Sequence, residues 1–321
     1  MKKKLIRILK TAGPLILGLL LIWYSFSSAT AAERQMLWEH ITLADPTWII
    51  ISLVCGVLSH LSRAYRWKYL LEPMGYRPRL ANSFMAVMGG YLANYGVPRS
   101  GEVLRGATIS TYEDIPFDKA IGTIVSERIA DLVMLILILG FGMVIQTEDL
   151  LAYLSQDSLN PIIGILAVLL VILLGVLGLI IVKRSEFSLA VKIRRFARGL
   201  LEGMRSILKM EKKGLFVFHT VFIWVMYMMM FYVVKFTIPE TADLSLAGIM
   251  AAFIVGSVAI STTNGGIGVY PLAMGAILLL FDVSKQAGEA FGWIVWGSQT
   301  LMVIVLGGLS LLLLPVFNRR K

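Results

Sequence analysis

The sequence predicts an all-α fold, a polytopic bundle of transmembrane helices, on three observations. The 321 residues are 57% hydrophobic and only 16% charged, whereas about 25% of residues are charged in ordinary soluble domains. Several apolar runs reach or approach the ~20 residues that a helix needs to cross the hydrocarbon layer. The basic residues are concentrated in a few segments between these runs, a distribution typical of membrane proteins.

Six runs are predicted to cross the membrane completely: 5–27, 46–62, 119–145, 159–182, 215–236 and 289–314. The first follows a basic N-terminus and precedes Ala29-Thr30-Ala31, so it resembles a cleavable signal peptide. We expect it to be retained as a helix, because many hydrophobic segments follow it.

The loop charges predict the orientation of the chain. Four segments are rich in Lys and Arg: the N-terminus, 62–79, 183–213 and the C-terminal tail. The positive-inside rule places all four, and therefore both termini, on the cytoplasmic side of the inner (plasma) membrane. We expect the basic, amphipathic segment 183–213 to be a cytoplasmic connector or a helix on the membrane surface.

This orientation requires two further stretches, 81–97 and 246–281, to begin and end on the same side. Both contain glycine clusters and a nearby proline. A broken backbone at membrane depth persists only where protein or a water-filled cavity satisfies it. The sequence therefore predicts two re-entrant helical segments in a single domain, 1–321.

Each re-entrant segment lies between two full spans, giving a first repeat over 46–145 and a second, oppositely oriented repeat over 215–314. Paired interrupted helices in inverted halves indicate a transporter with a site between the repeats. Two unrelated broken helices are the alternative interpretation.

The net charge of +10 fits contact with anionic headgroups, and no nucleic-acid motif accompanies it. Cys55 is the only cysteine, so no intrachain disulfide can form. The three histidines lack metal-ligand spacing, and no nucleotide-binding loop or nucleophile elbow is present. We expect no metal, no cofactor and no catalytic residue.

The first candidate site is Arg99, Glu102 and Arg105, which are three residues apart and would share one helix face. Arginine forks match phosphate with two parallel hydrogen bonds. An interfacial ion-pair network is the alternative.

The second candidate site is Glu127, Arg128 and Asp131, near the start of run 119–145. Arg128 can pair with Asp131, and either carboxylate can pair with Arg99 or Arg105 or relay a proton. Alternatively, these charges only fix helix packing.

The third candidate site is the glycine-rich tip of the second re-entrant segment, where exposed N–H groups and helix ends favour anions. Its members are Asn264, Gly265, Gly266, Gly268 and Tyr270. Arg63 and Arg66, beside Trp67, are either headgroup contacts or snorkelling anchors at the interface.

Taken in order, these motifs resemble the lysylphosphatidylglycerol synthase transmembrane region, also called the flippase-like or UPF0104 family. The residues that carry the resemblance are Arg63…Arg66-Trp67, Pro98-Arg99-Ser100-Gly101-Glu102…Arg105, Glu127-Arg128…Asp131 and Gly265-Gly266-Ile267-Gly268. The resemblance implies movement of a lipid such as aminoacylated phosphatidylglycerol between leaflets.

Two departures from the family pattern matter. Tyr270-Pro271 stands where many members have a glutamate, and the chain stops at Lys321 instead of continuing into a large soluble catalytic domain. We therefore expect a transporter and not an enzyme that transfers aminoacyl groups.

The function expected from the sequence is translocation of an anionic or aminoacylated phospholipid. Its phosphate would bind Arg99 and Arg105, with Glu102, Glu127 and Asp131 balancing charge. Four alternatives stay open: translocation of a polyprenyl-phosphate-linked glycolipid, glycosyl transfer from such a lipid, small-solute secondary transport, and a non-transporting partner of a lipid-modifying complex. A homo-oligomer is compatible with all of them.

Overall fold

The computed structural model describes residues 16–97, 99–145 and 210–319. These residues form α-helices joined by turns and short 3-10 segments, and no β-strand occurs among them, so the all-α prediction is confirmed. The predicted run 159–182, the start of run 5–27 and most of segment 183–213 lie outside the described residues. The chain divides into two compact units, Met1–Glu127 with Gly214–Lys321, and Arg128–Lys213.

The helices are numbered in chain order. They are α1 Ile16–Ser28, α2 Ala31–Thr42, α3 Pro46–Leu71, α4 Leu80–Gly96, α5 Ser100–Glu113, α6 Phe117–Ile145, α7 Lys213–Tyr232, α8 Pro239–Ala242, α9 Leu246–Thr262, α10 Val269–Leu278 and α11 Lys285–Phe317.

Three continuous helical segments are long and apolar enough to cross a membrane: Pro46–Met74, Lys213–Thr237 and Lys285–Phe317. They contain the predicted runs 46–62, 215–236 and 289–314. Helices α1 and α2 meet at a bend of 116° and would add a fourth span if they form one. Run 119–145 is helical as α6, which carries the three charged residues of the second candidate site.

Helix α3 is longer than the sequence pattern predicts. It begins at Pro46 behind the N-cap Asp45, whose side chain accepts a hydrogen bond from the Thr47 N–H, and continues to Leu71. Arg63, Arg66 and Lys68 therefore lie on the helix, and the assignment of 62–79 to a loop was wrong over its first ten residues. In this part of the helix Arg63 and Arg66 bind a buried carboxylate, a pairing that hydropathy does not detect.

Helices α4 and α5 form an antiparallel hairpin. Arg79 and Asn82, at the beginning of α4, both bind Glu113 at the end of α5. Between them the backbones touch, since a Cβ on Gly90 would lie 2.8 Å from the Gly101 carbonyl oxygen. Residues 100–113 are helical, and α5 buries one face against its neighbours.

Helices α9 and α10 form a second hairpin. Gly256 of α9 lies against the ring of Tyr270 of α10. A Cβ added to this glycine would be 2.9 Å from the ring. The turn needs glycine, because Gly265, Gly266 and Gly268 all have φ between 68° and 83°, a region that residues with a Cβ avoid.

The tips of the two hairpins meet. A Cβ on Gly265 would lie 2.6 Å from the ring of Tyr95, which belongs to the last turn of α4. Helix α11 packs along both hairpins: Gly307 lies against Leu92 of α4, and Gly292 lies against Pro271 of α10. The two glycine-rich stretches singled out by sequence are thus neighbours in the fold.

Candidate functional site

Three helices bring three arginines to one carboxylate. Arg63 and Arg66 lie one turn apart on α3, Arg105 lies on α5, and Glu127 lies on α6. All four side chains are buried, and none is more than 6% exposed. We call these four residues the arginine cluster.

Both oxygens of Glu127 are fully engaged. Oε1 accepts hydrogen bonds from Arg63 Nη1 at 2.5 Å and from Arg105 Nη1 at 3.1 Å, and it lies 3.2 Å from Arg66 Nη2. Oε2 accepts a hydrogen bond from Arg105 Nη2 at 2.7 Å. Arg105 therefore binds the carboxylate with both arms of its fork, which is the geometry that guanidinium groups also use for phosphate.

Neighbouring side chains hold the arginines in place. The guanidinium of Arg105 stacks 3.9 Å from the centroid of the Trp67 ring, whose Nε1 donates a hydrogen bond to Thr123 Oγ1 at 2.8 Å. Arg66 Nη1 donates to Thr220 Oγ1 at 2.8 Å. Trp67 is completely buried, so the sequence-based alternative of an interfacial anchor is wrong for this segment.

The arginine cluster carries more positive than negative charge. Its four residues are three guanidinium groups and one carboxylate, and Arg63 and Arg66 also take part in interactions beyond those with Glu127. Within the described part of the chain, Arg105 Nε has no hydrogen-bond partner. The fork of Arg105 is therefore the part of the cluster that would bind another anion when the site opens.

A group of neutral hydrogen-bonding side chains adjoins the cluster. His60 lies one turn before Arg63 and its ring packs 4.8 Å from that of Tyr91. Tyr227 OH accepts a hydrogen bond from Arg63 Nη2 at 3.4 Å, and its ring lies 6.0 Å from that of Trp224. Among the described residues, His60 Nδ1 and Trp224 Nε1 are buried without a hydrogen-bond partner.

Sequence reasoning missed these neighbours. It considered His60 only as a metal ligand and did not consider Trp224 or Tyr227. The available signal was the spacing of His60 and Arg63, three residues apart on an apolar helix, which places both on one face.

The first candidate group is only partly brought together. Arg105 joins Glu127, whereas Arg99 is exposed and forms the N-cap of α5 with φ of 64°. Glu102 lies in the first turn of α5 and is half-buried. The expected shared face therefore fails at Arg99, which is not on the helix.

The second candidate group is divided between the compact units. Glu127 ends the stretch that belongs to the first unit, and Arg128 begins the second. Within the second unit, Arg128 Nη1 lies 3.9 Å from Asp131 Oδ2, which is the pairing expected from their spacing.

The third candidate group forms the turn between α9 and α10. The Gly265 carbonyl accepts a hydrogen bond from Trp296 Nε1 at 2.7 Å, and Tyr270 is buried against Gly256. Gly266 and Gly268 supply the two other left-handed positions of the turn. The side chain of Asn264 lies outside the described atoms.

An apolar helical bundle with charged residues buried on its long helices defines a polytopic helical membrane protein. The chain belongs to the family described as lysylphosphatidylglycerol synthase TM region, whose model matches residues 11–308.

A UPF0104 membrane protein of Methanocaldococcus jannaschii is 30% identical over 90 residues. The match covers 27% of this chain and 27% of that relative. No solved structure matches the chain.

Proposed function

We propose that this protein moves a lipid with an anionic phosphate headgroup between the leaflets of the inner membrane. The observation that carries the proposal is the buried fork of Arg105, which binds both oxygens of a carboxylate in an apolar helical bundle. The substrate class is a phospholipid or an aminoacyl-phospholipid, in agreement with a family described by a lysylphosphatidylglycerol synthase.

The proposed topology has six complete spans and two re-entrant hairpins, with both termini in the cytoplasm. The α4–α5 hairpin and the α9–α10 hairpin are the re-entrant elements, one in each inverted repeat. Contact between their tips, at Tyr95 and Gly265, supports a path formed where the two repeats meet.

Phosphate would bind by exchange with Glu127. The cluster is sealed in this conformation, so access requires α3, α5 or α6 to separate. A phosphate then takes the place of the carboxylate on the Arg105 fork, because both anions present two oxygens to parallel N–H groups. Trp224 offers an N–H donor beside it and His60 a second hydrogen-bonding atom, and both would bind the rest of the headgroup.

In this proposal the protein is a transporter and performs no covalent chemistry. A polyprenyl-phosphate-linked glycolipid carries the same phosphate, so the cluster fits it equally well. A neutral small solute fits less well, since it has no anionic group to bind the Arg105 fork.

The test is a leaflet-accessibility assay on the full chain reconstituted in liposomes. Fluorescent phosphatidylglycerol, fluorescent phosphatidylcholine and a fluorescent polyprenyl phosphate are compared. We expect phosphatidylglycerol or the polyprenyl phosphate to move at least tenfold faster than phosphatidylcholine. Arg105→Lys is expected to slow that movement at least tenfold, because lysine is a point charge without the planar fork.

Arg77→Lys is the matched control, because Arg77 is exposed and outside the arginine cluster. It should leave the rate unchanged. A thermal unfolding midpoint within a few degrees of the wild-type value first establishes that each variant is folded. Equal rates for wild type and a folded Arg105→Lys variant, or faster movement of phosphatidylcholine, would contradict the proposal.

A further inference from the structure

A small cavity lies where α1 and α2 meet the beginning of α11. Its volume is about 60 Å³, and its lining includes Ser25, Ser28, Glu33, Lys285, Gln286 and Glu289. A water molecule needs roughly 10–15 Å³ on this measure. The cavity therefore has room for one compact ion with a few waters.

Glu289 is a buried carboxylate that is not satisfied by the protein. Its side chain is 10% exposed, and among the described residues its Oε1 has no hydrogen-bond partner. The nearest cation is Lys285, whose Nζ lies 3.8 Å from Oε1, beyond hydrogen-bond distance. Burying a carboxylate oxygen without a hydrogen-bond donor costs free energy. A positively charged partner at Oε1 would offset that cost.

The position of Glu289 is fixed by packing. Its Cγ would lie 2.6 Å from a Cβ on Gly275 of α10, so only a glycine leaves room for it there. The carboxylate is therefore held at the cavity wall by close contact between α10 and α11.

The other charged groups of the cavity are already engaged. Glu33 Oε2 accepts hydrogen bonds from Thr30, and Glu33 Oε1 accepts one from Gln286 Nε2 at 3.2 Å. Arg34 Nη1 donates to the Phe26 carbonyl at 2.9 Å. Lys285 is 59% exposed, so water weakens its attraction to Glu289.

The end of α1 contributes Ser25 and Ser28 to the lining. The Phe26 carbonyl accepts a hydrogen bond from Arg34, and the Ser28 hydroxyl donates to the Tyr24 carbonyl at 2.7 Å. A helix C-terminus carries about half a negative charge. The lining therefore combines two hydroxyl groups and the carboxylates of Glu33 and Glu289 with the cations Arg34 and Lys285.

We propose that this cavity is a binding site for one compact monovalent cation, with Glu289 as its principal ligand. The shared chemistry is a single positive charge that oxygen atoms can surround: an alkali-metal ion or a primary ammonium group. Divalent ions fit poorly, because the described residues contain no group of three or more His, Cys, Asp or Glu side chains that could hold a metal. The site is independent of the proposed lipid movement.

The test measures the thermal unfolding midpoint of the full chain in lipid nanodiscs at constant ionic strength. Sodium, potassium or methylammonium chloride replaces tetramethylammonium chloride, whose cation is larger and has no N–H donor. We expect at least one of the three cations to raise the midpoint with saturation. Glu289→Gln should weaken that effect at least tenfold, and Lys285→Gln should strengthen it, because the competing ammonium group is gone.

A second arm distinguishes a free ion from a lipid amine. Nanodiscs containing phosphatidylethanolamine are compared with phosphatidylcholine nanodiscs, and a shift confined to the former that is lost in Glu289→Gln identifies the headgroup amine as the ligand. Glu39→Gln is the matched control, because Glu39 is an exposed carboxylate on α2 outside the cavity. No saturable shift with any cation or lipid, or the same shift in Glu289→Gln, would overturn the proposal.

Discussion

Glu127 and Glu289 are both carboxylates buried on long apolar helices, but the protein surrounds them in opposite ways. Three arginines bind Glu127, and both of its oxygens accept hydrogen bonds. Glu289 has one lysine at 3.8 Å and an oxygen without a donor among the described residues. The first carboxylate is bound closely by three cations, and the second has one cation beyond hydrogen-bond distance.

The two sites are also far apart along the bundle. Gln299 of α11 donates a hydrogen bond to Ser52 of α3, and one turn further along both helices Met302 lies against Gly56, so α3 and α11 run in the same direction. Glu289 precedes Gln299 by ten residues and Arg63 follows Ser52 by eleven. At 1.5 Å per residue these segments add to about 30 Å, which is comparable to the hydrocarbon thickness of a bilayer. Sites of opposite character therefore lie towards opposite ends of the bundle.

The comparison shows that burial alone does not define the role of a charged residue. At the arginine cluster the protein completes the coordination of the anion itself, so Glu127 contributes to stability. At the cavity the coordination is incomplete, so Glu289 is available to a ligand. Changing each carboxylate to its amide should separate the two situations.

The largest expected effect is that of Glu127→Gln. Removing one partner of a buried ion pair costs about 3–5 kcal/mol, and here it removes the carboxylate charge that Arg63, Arg66 and Arg105 share. We expect the free energy of unfolding, measured in mixed detergent micelles, to fall by at least about 3 kcal/mol. Asp118→Asn, at an exposed position on the same helix, should change it by less than about 0.5 kcal/mol. An equal loss in both variants would mean that the cluster does not stabilise the fold.

Sequence reasoning found Arg63, Arg66, Arg105 and Glu127, and the pairing of Glu127 with Arg105 that it allowed is present. It also placed Arg99 beside Arg105, because spacing along one helix suggested a shared face, and it did not bring Arg63 and Arg66 to the same carboxylate. The actual partners of Glu127 lie on two other helices, and they are between 22 and 64 residues away from it in the chain. Their meeting depends on packing between α3, α5 and α6, which hydropathy does not encode.

The hairpins were more accessible to sequence reasoning, because their signals are local. The glycine cluster of 246–281 marked the tip of the α9–α10 hairpin, and the positive φ angles at Gly265, Gly266 and Gly268 explain why glycine is required there. In 81–97 the glycine signal was misleading, because Gly89 and Gly90 lie inside the continuous helix α4, which ends at Gly96. The cavity at Glu289 was not found. Its carboxylate lies four residues after Lys285 on an apolar helix, a spacing that indicates an ordinary helical ion pair and hides the unsatisfied oxygen.

Glu289→Gln is expected to change the free energy of unfolding much less than Glu127→Gln does. The change should be near zero or stabilising. The substitution removes a charge that is costly to bury and loses only a distant contact with a solvated lysine. Without added monovalent cations, the free energy of unfolding should stay the same or rise by up to about 1 kcal/mol. A loss as large as that of Glu127→Gln would show that Glu289 is already satisfied within the protein and would end the contrast between the sites.

The smallest expected effect concerns Arg99, the arginine that sequence reasoning placed beside Arg105 and that the structure leaves exposed. Its φ of 64° is in the left-handed region. Glycine adopts this region freely and asparagine more readily than most other residues, which avoid it. Relief of this strain is partly offset by the greater chain entropy that glycine loses on folding. Arg99→Gly should therefore raise the free energy of unfolding by about 0.5 kcal/mol, with Arg99→Asn close behind and Arg99→Val lower than wild type.

The same Arg99 variants sharpen the comparison in the lipid assay. If only the buried cluster binds phosphate, Arg99→Gly should move phosphatidylglycerol at the wild-type rate, whereas Arg105→Lys slows it. If Arg99→Gly is more stable than wild type yet slows lipid movement, the protein maintains a strained arginine at the tip of the α4–α5 hairpin for contact with the headgroup. That result would extend the phosphate path from the sealed cluster to the point where the two hairpin tips meet.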